Sequence, residues 1–332
     1  MEHPTISTVS AASTVDDRAT ATPGAEPLYG AVEGGGTKFV CAIGRGPDRI
    51  LARARFDTTS PEETLSLVGD FLAQATRAAG HAALTAVGVA CFGPLELDEQ
   101  APNFGCLLAT PKPGWSGAAV VRALQEQLDV PVVIDTDVNG AALAEWRWGA
   151  AQGCDPTLYL TVGTGIGGGA VVGGRPLHGL LHPEMGHILL PRLPWPNGRP
   201  DDFPGTCPFH GGCFEGLASG PALQARLGLP PESLDPEHPI WELEAGYLAH
   251  ALATYVLVLS PQRLVVGGGV LQQGHLINRI RRRLGQVLAG YVKRPQVERE
   301  AHRYVVSPRF GQDAGLIGAF ALASMAHHPA PM

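Results

Sequence analysis

Three short glycine-rich runs, each directly after an apolar segment, constrain the fold of this chain more than any other feature. The runs are GGGTK at 34–38, GTGIGGG at 163–169 and GGG at 267–269. Glycine lets backbone N–H groups approach a phosphate without interference from a Cβ atom, and threonine adds a hydroxyl donor. Any one run alone would indicate a tight hairpin turn. Three runs, two of them with threonine, favour an α/β protein that binds phosphate groups.

Length and composition narrow the class of protein further. A chain of 332 residues has about twice the usual domain length, which predicts two domains. Hydrophobic residues make up 45% of the chain and charged residues 17%, which excludes a highly charged disordered protein. A net charge of −7 argues against a nucleic-acid partner, and the basic residues Arg279 and 281–283 indicate the solvent face of an amphipathic helix.

The sequence also indicates a cytoplasmic location without a membrane partner. No apolar run approaches the roughly 18 residues that span a bilayer, and the N-terminus lacks the pattern of a secretory signal. Six cysteines in a chain of this length do not form a dense disulfide framework. Four of them are scattered among apolar residues and are expected to be core thiols, namely Cys41, Cys91, Cys106 and Cys154.

Residues 1–27 have no periodicity, which predicts a disordered tail, and the hydrophobic periodicity after it predicts two successive α/β segments. The first segment combines a β-meander with a helix and a further strand. Its predicted elements are strands at 28–32, 38–43 and 50–58, a helix at 62–80 and a strand at 85–90. The second has predicted strands at 130–135, 157–162, 169–172 and 264–266, and helices at 140–148, 214–227, 241–259, 276–289 and 313–326. A cleft between two α/β domains is a natural ligand site.

One of the glycine runs imitates a dinucleotide-binding motif. Gly163, Gly165 and Gly168 have the GxGxxG spacing, and Glu184 follows about twenty residues later, as in that motif. However, the residues at 170–174 (AVVGG) indicate a strand and a turn, whereas the motif requires a helix that holds the pyrophosphate. We therefore expect no dinucleotide cofactor. The chain also lacks a P-loop motif and the HRD and DFG motifs of protein kinases.

Two acidic residues, Asp135 and Asp137, stand where a predicted strand (VPVVID) ends and a helix begins. The carboxyl ends of strands are where α/β folds present functional groups. A carboxylate in this position can accept the proton of a hydroxyl group that attacks a phosphoryl group. An acid that only caps the helix is the alternative, and the residues by themselves leave both interpretations open.

A cysteine–histidine cluster indicates a metal site. His187 is followed by Cys207-Pro-Phe-His210-Gly-Gly-Cys213, and thiolates with imidazoles at this spacing suit tetrahedral Zn²⁺. Because four protein ligands leave no open position, the predicted zinc is structural and not catalytic. The alternative is a pair of free cysteines with surface histidines in a glycine-rich loop.

Together the motifs EGGGTK at 33–38, GTGIGGG at 163–169 and VVGGGV at 265–270 resemble the phosphate and adenosine loops of actin-like sugar kinases. The chain is most similar to the ROK family, and within it to the zinc-containing fructokinase branch, from Leu28 to Ala326. This resemblance implies an α/β fold of the actin-like ATPase (ribonuclease H-like) type, with two domains around a cleft that holds ATP. It implies a small domain at 28–136 plus 308–326 and a larger domain at 137–307.

The resemblance also assigns roles to individual residues. It makes Asp137 the catalytic base, through the Asp-x-Asn pattern, and His187 the remaining zinc ligand beside Cys207, His210 and Cys213. The implied ATP-binding residues are Gly35, Gly36, Thr37, Lys38, Thr164, Gly165, Gly267 and Gly268. The implied hexose-binding residues are Glu184 of the ExGH element, Glu215, His182, Thr110 and Lys112. Glu215 has the alternative of an acid favoured by a helix dipole, and Trp115 is expected in the core.

The activity implied is the phosphorylation of D-fructose at its 6-hydroxyl by ATP with Mg²⁺, in a homodimer with structural Zn²⁺. Kinases for glucose, mannose or N-acetylmannosamine in the same family are the nearer alternatives. Thr136, where many ROK kinases have asparagine, and the CxxHxxC form favour the fructokinase branch. A sugar-responsive repressor is disfavoured, because the residues before Leu28 are polar and poor in helix formers.

Overall fold

The computed structural model describes residues 26–326. The predicted tail at 1–27 therefore lies, except for its last two residues, outside the described part of the chain. The fold divides into two compact units, of which the first extends to Ala141 and resumes at Gly315, and the second is Ala142–Ala314. The domain boundaries that the resemblance implies, at 136/137 and 307/308, stay a prediction.

Strands and helices alternate along the described chain. The strands are β1 Tyr29–Gly34, β2 Lys38–Gly44, β3 Ile50–Asp57, β4 Ala86–Cys91, β5 Val132–Thr136, β6 Thr157–Val162, β7 Ile166–Val172, β8 Arg175–Pro176, β9 Arg263–Gly267 and β10 Val305–Val306. The α-helices are α1 Pro61–Ala78, α2 Val120–Leu128, α3 Asp137–Trp148, α4 Phe214–Ala218, α5 Gly220–Leu227, α6 Ile240–Leu259, α7 Leu276–Leu288, α8 Pro295–Glu298, α9 Ala301–Tyr304 and α10 Ala314–Met325.

The first unit is built on a five-stranded sheet in the order β3-β2-β1-β4-β5. The meander β1-β2-β3 is antiparallel, as predicted, while β4 and β5 run parallel to β1. Helix α1 begins where the sequence predicts it, because the Ser60 side chain accepts a hydrogen bond from the Glu63 amide and Pro61 occupies the first turn. On its inner face, Val68 and Leu72 are fully buried in the core of this unit.

The second unit has a five-stranded sheet in the order β10-β9-β6-β7-β8. Strands β6 and β9 are parallel, and β6 and β7 are antiparallel. Helix α6 is apolar on nearly all sides, as expected for a helix enclosed by other elements, and Trp241, Tyr247 and Leu248 on it are completely buried. The core of this unit also contains Phe214 of α4 and Leu284 of α7.

Four local predictions differ from the structure. Strand β7 starts at Ile166 and not at 169, so the last glycines of the second run are paired with β6 instead of forming a turn. The predicted helix at 214–227 is two helices, α4 and α5, because Ser219 is extended and its side chain accepts a hydrogen bond from the Ala222 amide. Helix α3 starts at Asp137 instead of 140, and helix α2 was not predicted.

Two exclusions made from the sequence can be compared with the fold. The GxGxxG run leads into strand β7 and not into a helix, which confirms that it is not the dinucleotide motif. Within residues 26–326, none of the helices combines the length and the apolar character that a membrane span needs.

Candidate functional site

The first glycine turn and Asp137 lie at the same edge of the first sheet. Strands β1, β4 and β5 are parallel neighbours and end in register, with Gly34 opposite Cys91 and Cys91 opposite Thr136. Because neighbouring strands are about 4.8 Å apart, the ends of β1 and β5 are separated by roughly 10 Å. The fold therefore brings together a predicted phosphate turn and a predicted base that are about a hundred residues apart in the sequence.

The GGGTK turn is closed by its own backbone and leaves two polar side chains available. The Gly35 amide donates to the Lys38 carbonyl at 2.9 Å, and Gly34 pairs with Phe39 at the base of the hairpin. Thr37 is exposed and Lys38 is half-buried. Within residues 26–326, neither of these two side chains makes a hydrogen bond or an ion pair, so a hydroxyl and an ammonium group are available to an anionic ligand.

Asp135 and Asp137, for which the sequence left open a role as base or as helix cap, have different surroundings. Asp135 is buried, and its Oδ1 accepts hydrogen bonds from the Thr136 amide at 2.7 Å and from Asn139 Nδ2 at 2.8 Å. The side chain that caps α3 is Thr136, whose Oγ1 accepts from the Asn139 amide at 3.2 Å. Asp135 and Thr136 thus fix the start of the helix on which Asp137 is the first residue.

Asp137 itself is half-buried, and its Oδ1 accepts a hydrogen bond from the Val138 amide at 2.9 Å. The pKa of the Cys91 thiol, on the neighbouring strand, is raised above its usual range. The main cause is the burial of the thiol, and the second is the negative charge of Asp137. The carboxylate is therefore at the carboxyl edge of the sheet. Its catalytic role stays a prediction.

The second and third glycine runs meet at the carboxyl edge of the other sheet. Strands β6 and β9 are parallel, with Thr161 opposite Gly267. Gly268 has a φ of +96°, and a Cβ atom there would overlap the Val162 backbone, so the approach of the two turns requires glycine. Within the second run, Thr164 is exposed at the tip of the turn.

Glu215 contacts the second glycine turn directly. Its Oε2 accepts a hydrogen bond from the Ile166 amide at 2.9 Å and lies 2.8 Å from the position that a Cβ atom on Gly165 would occupy. Glu215 belongs to the first turn of α4, where a carboxylate is also favoured by the helix dipole. The structure therefore shows a contact of Glu215 with the turn, and its predicted contact with a hexose stays a prediction.

The ExGH element is packed against strand β7. A Cβ atom on Gly186 would overlap the Ile166 carbonyl oxygen, so only glycine permits this contact. His182 is buried, and its Nδ1 is 3.5 Å from Oε1 of Glu184, whose side chain is 47% exposed. The loop thus presents the Glu184 carboxylate to solvent beside an imidazole, which suits hydrogen bonds with neighbouring hydroxyl groups.

The loop at 108–117 carries the remaining predicted hexose residues. Thr110 Oγ1 accepts a hydrogen bond from the Lys112 amide at 3.4 Å, and Lys112 Nζ donates to the Thr58 carbonyl at 3.2 Å. Trp115 is completely buried and stacks on Phe39 with ring centroids 5.3 Å apart, which confirms that it is a core residue. The ammonium group of Lys112 is thus bonded to the backbone in this structure.

The four predicted metal ligands are brought together in space. The Nδ1 atom of His187 lies 3.7 Å from the Cys207 sulfur and 3.6 Å from the Cys213 sulfur, and His210 Nδ1 lies 3.6 Å from the Cys207 sulfur. All four ligand atoms are within 4.8 Å of one another. The turn between the cysteines is closed by reciprocal backbone hydrogen bonds between Cys207 and Gly211.

These distances fit a tetrahedral zinc ion. Zinc bonds of about 2.3 Å to sulfur and about 2.0 Å to nitrogen place neighbouring ligand atoms about 3.5 Å apart. The two cysteines are buried while His187 is half-buried and His210 is exposed, so the set extends from the interior to the surface of the loop. The donor set of two thiolates and two imidazoles therefore suits zinc in both chemistry and spacing.

A buried polar cluster that the sequence did not reveal fixes the segment between His187 and Cys207, through Asp201. Asp201 accepts hydrogen bonds from Arg226 Nη2 at 3.2 Å and from the Tyr247 hydroxyl at 2.6 Å, and the Asp201 and Arg226 side chains are only 1% and 4% exposed. Burial, and next the hydrogen bond to Asp201, raises the pKa of Tyr247 to about 12. The contacts join residues far apart in the chain, and no local motif marks them.

Glu244 belongs to the same buried region. It is fully buried, and both of its carboxylate oxygens lack a hydrogen bond among residues 26–326. Burial raises the pKa of Glu244 well above its ordinary value of 4.5, and the positive charge of Arg226 opposes this shift only in part. The carboxyl group is therefore held in its neutral form at pH values where an exposed glutamate is ionised.

Comparison with known proteins identifies the family. A family model described as the ROK family matches residues 29–326. The chain belongs to the ROK family. This ROK protein is 43% identical over 305 residues to a fructokinase of Zymomonas mobilis, with 91% of this chain and 98% of the relative covered. It is 37% identical over 297 residues to a fructokinase of Streptococcus mutans, with 89% and 97% covered.

A solved structure supports the same assignment. The crystal structure of a ROK family glucokinase from Streptomyces griseus, in complex with glucose and AMPPNP, matches with a TM-score of 0.69 at 27% identity. The match covers 90% of this chain and 99% of that chain. The family match and this structural likeness confirm the predicted family and the predicted α/β sugar kinase fold.

Proposed function

We propose that this ROK protein is an ATP-dependent fructokinase, which converts D-fructose and ATP to fructose 6-phosphate and ADP. The observation that carries the proposal is the position of Asp137 at the same sheet edge as the GGGTK turn. Fructokinases that are 43% and 37% identical over nearly their whole length support fructose as the substrate. A carboxylate that accepts the hydroxyl proton and a turn that binds phosphate are two of the groups that phosphoryl transfer to a hydroxyl group uses.

In the proposed reaction, Asp137 accepts the proton of the 6-hydroxyl group as its oxygen attacks the γ-phosphorus of ATP. The bond between this phosphorus and the β–γ bridging oxygen breaks, ADP leaves, and Asp137 releases the proton to solvent. Thr37 and Lys38 donate hydrogen bonds to the phosphates, together with backbone amides of the glycine turns. Mg²⁺ bound to the phosphates neutralises part of their charge. The other proposed nucleotide contacts are Gly35, Gly36, Thr164, Gly165, Gly267 and Gly268.

The proposed hexose contacts are carboxylate, imidazole and hydroxyl groups that suit sugar hydroxyls. Glu184 is the main candidate, because its carboxylate is exposed beside the buried His182. Glu215 orients the sugar in this proposal while it also holds the Ile166 amide of the glycine turn. Thr110 and Lys112 contribute from the loop at 108–117.

We further propose that His187, Cys207, His210 and Cys213 hold a structural zinc ion. The ion would fix the loop that follows the ExGH element, and four protein ligands leave no position for a catalytic water. The family resemblance supports a homodimer, which sedimentation of the purified protein tests, and the composition of the sequence supports a cytoplasmic location.

The experiment that tests the proposed substrate is a coupled assay of ADP release with a panel of hexoses. Purified protein with MgATP is given D-fructose, D-glucose, D-mannose or N-acetylmannosamine, and the position of the new phosphate is read by ³¹P NMR. We expect the highest kcat/KM for D-fructose and phosphate on the 6-oxygen. A higher kcat/KM for one of the other sugars, or transfer from polyphosphate but not ATP, would refute the proposal.

A further inference from the structure

The residue that follows strand β3, Thr58, uses all of its polar groups to join two separate segments. It is only 8% exposed. Its amide donates to the Thr37 carbonyl at 3.0 Å, which extends the β2–β3 ladder by one hydrogen bond beyond the last pair, Lys38 with Asp57. Its hydroxyl donates to the Gly35 carbonyl at 2.7 Å. Two hydrogen bonds from one residue thus fix the backbone of the GGGTK turn.

The other side of Thr58 is bonded to the loop at 108–117. Lys112 Nζ donates to the Thr58 carbonyl at 3.2 Å, and the indole nitrogen of Trp115 donates to the Thr59 carbonyl at 2.8 Å. Trp115 is itself held in the core by its stacking on Phe39. A movement of this loop therefore displaces the carbonyl groups of Thr58 and Thr59.

Such a displacement reaches the glycine turn through one residue. The carbonyl that Lys112 binds, and the amide and hydroxyl that bind the turn, all belong to Thr58. The three groups are attached to one Cα atom and are separated by only two soft backbone dihedral angles, so any carbonyl shift that rotation about ψ does not absorb also moves the amide and the side chain. Because the hydroxyl bond to Gly35 is short and partly buried, it transmits this shift to the turn.

We propose that Thr58 is a positioning residue that couples hexose binding at the 108–117 loop to nucleotide binding at the GGGTK turn. The proposal rests on the proposed function, which assigns Thr110 and Lys112 to the hexose and Thr37 and Lys38 to the phosphates. Hexose that orders the loop holds the Thr58 carbonyl in place, and the hydroxyl and amide of Thr58 then hold the turn in its phosphate-binding shape. Such coupling is reciprocal, so each ligand raises the affinity for the other by the same factor.

The test separates coupling from simple stabilisation with a matched control. Thr58→Val removes the hydroxyl while the side chain keeps nearly the same shape, and Thr58→Ser keeps the hydroxyl but lacks the methyl group. Thr76→Val is the control, because Thr76 is also buried and its hydroxyl also donates to a backbone carbonyl at 2.7 Å, that of Leu72 within α1. The affinity of each protein for Mg²⁺ with the non-hydrolysable ATP analogue AMPPNP is measured by calorimetry, with and without saturating D-fructose, and its Tm is recorded.

In the wild type we expect D-fructose to raise the AMPPNP affinity by at least about fivefold, the lower end of usual coupling between sites. Thr58→Val should lower this factor to below about twofold and weaken AMPPNP binding by about two- to tenfold, the range expected for one hydrogen bond. Thr58→Ser and Thr76→Val should keep the wild-type factor, although Thr76→Val lowers the Tm. A wild-type factor near one, an unchanged factor in Thr58→Val, or an equal loss in Thr76→Val would overturn the proposal.

A further variant distinguishes a failure of the coupling from a failure of the proposed function. Thr37→Val in the turn should weaken AMPPNP binding if the turn contacts the phosphates. If Thr37→Val weakens binding while Thr58→Val leaves the fructose effect intact, only the coupling is wrong. If Thr37→Val binds AMPPNP as the wild type does, the assignment of the turn to the nucleotide is wrong, and the coupling falls with it.

Discussion

Replacement of Asp201 by asparagine should destabilise the second unit strongly. Asparagine has nearly the same shape as aspartate and still offers an acceptor to the Tyr247 hydroxyl, so the change mainly removes a charge. The partner, Arg226, lies 3.2 Å away with a side chain that is only 4% exposed. Its guanidinium would keep its positive charge in a region shielded from water.

The size of the effect follows from this burial. Removal of one partner of a buried ion pair costs about 3 to 5 kcal/mol, because the remaining charge is left uncompensated. Since a domain is stabilised by only about 5 to 15 kcal/mol in total, this is a large share of the free energy of unfolding. Arg226 Nη1 also donates to the Leu217 carbonyl at 2.9 Å, so the charged side chain cannot easily turn toward solvent.

The chain offers a control ion pair of similar length whose carboxylate is mostly exposed. Glu237 pairs with Arg279 at 3.1 Å, but the Glu237 side chain is 84% exposed. Glu237→Gln should therefore change the free energy of unfolding by less than about 1 kcal/mol. Urea unfolding followed by circular dichroism measures both variants. A loss in Asp201→Asn that is no larger than that in Glu237→Gln would refute the reasoning.

Three further predictions concern other residues of the second unit. Because the folded protein raises the pKa of Glu244 above 4.5, wild-type stability should fall as the pH rises through the folded pKa, and urea unfolding of Glu244→Gln should lack this fall. Cys213→Ser should lower the zinc content measured by mass spectrometry and the Tm, whereas Cys154→Ser should retain zinc. Gly186→Ala should lower the Tm, because its Cβ would overlap the Ile166 carbonyl oxygen, and an unchanged Tm would contradict this contact.

The features that the sequence could predict are those set by residues close together in the chain. Ser60 and Pro61 mark the start of α1 because a cap and the first turn of a helix are adjacent by construction. The cysteine–histidine cluster was recognisable because Cys207, His210 and Cys213 lie in one short turn. Such local patterns carry their physical cause in the sequence itself.

The features that escaped prediction depend on contacts between distant residues. The Tyr247 hydroxyl reaches Asp201 across 46 positions, and Thr58 meets Lys112 across 54, so no spacing marks either contact. The break between α4 and α5 combines the local cap by Ser219 with a distant contact, because the Gly220 amide donates at 2.8 Å to the Gly163 carbonyl in the second glycine turn. A hydrophobic pattern that continues through 214–227 gives no sign of this tertiary hydrogen bond.

The most direct test of the proposed activity is the rate of fructose-dependent ADP release by Asp137→Asn with saturating MgATP. The matched control is Asp129→Asn, since Asp129 is an exposed carboxylate at the end of α2. If Asp137 is the base, its variant should lose about a hundredfold to ten-thousandfold in kcat while it keeps the wild-type Tm and binds AMPPNP, and Asp129→Asn should match the wild type. A kcat in Asp137→Asn close to that of the wild type would contradict the account.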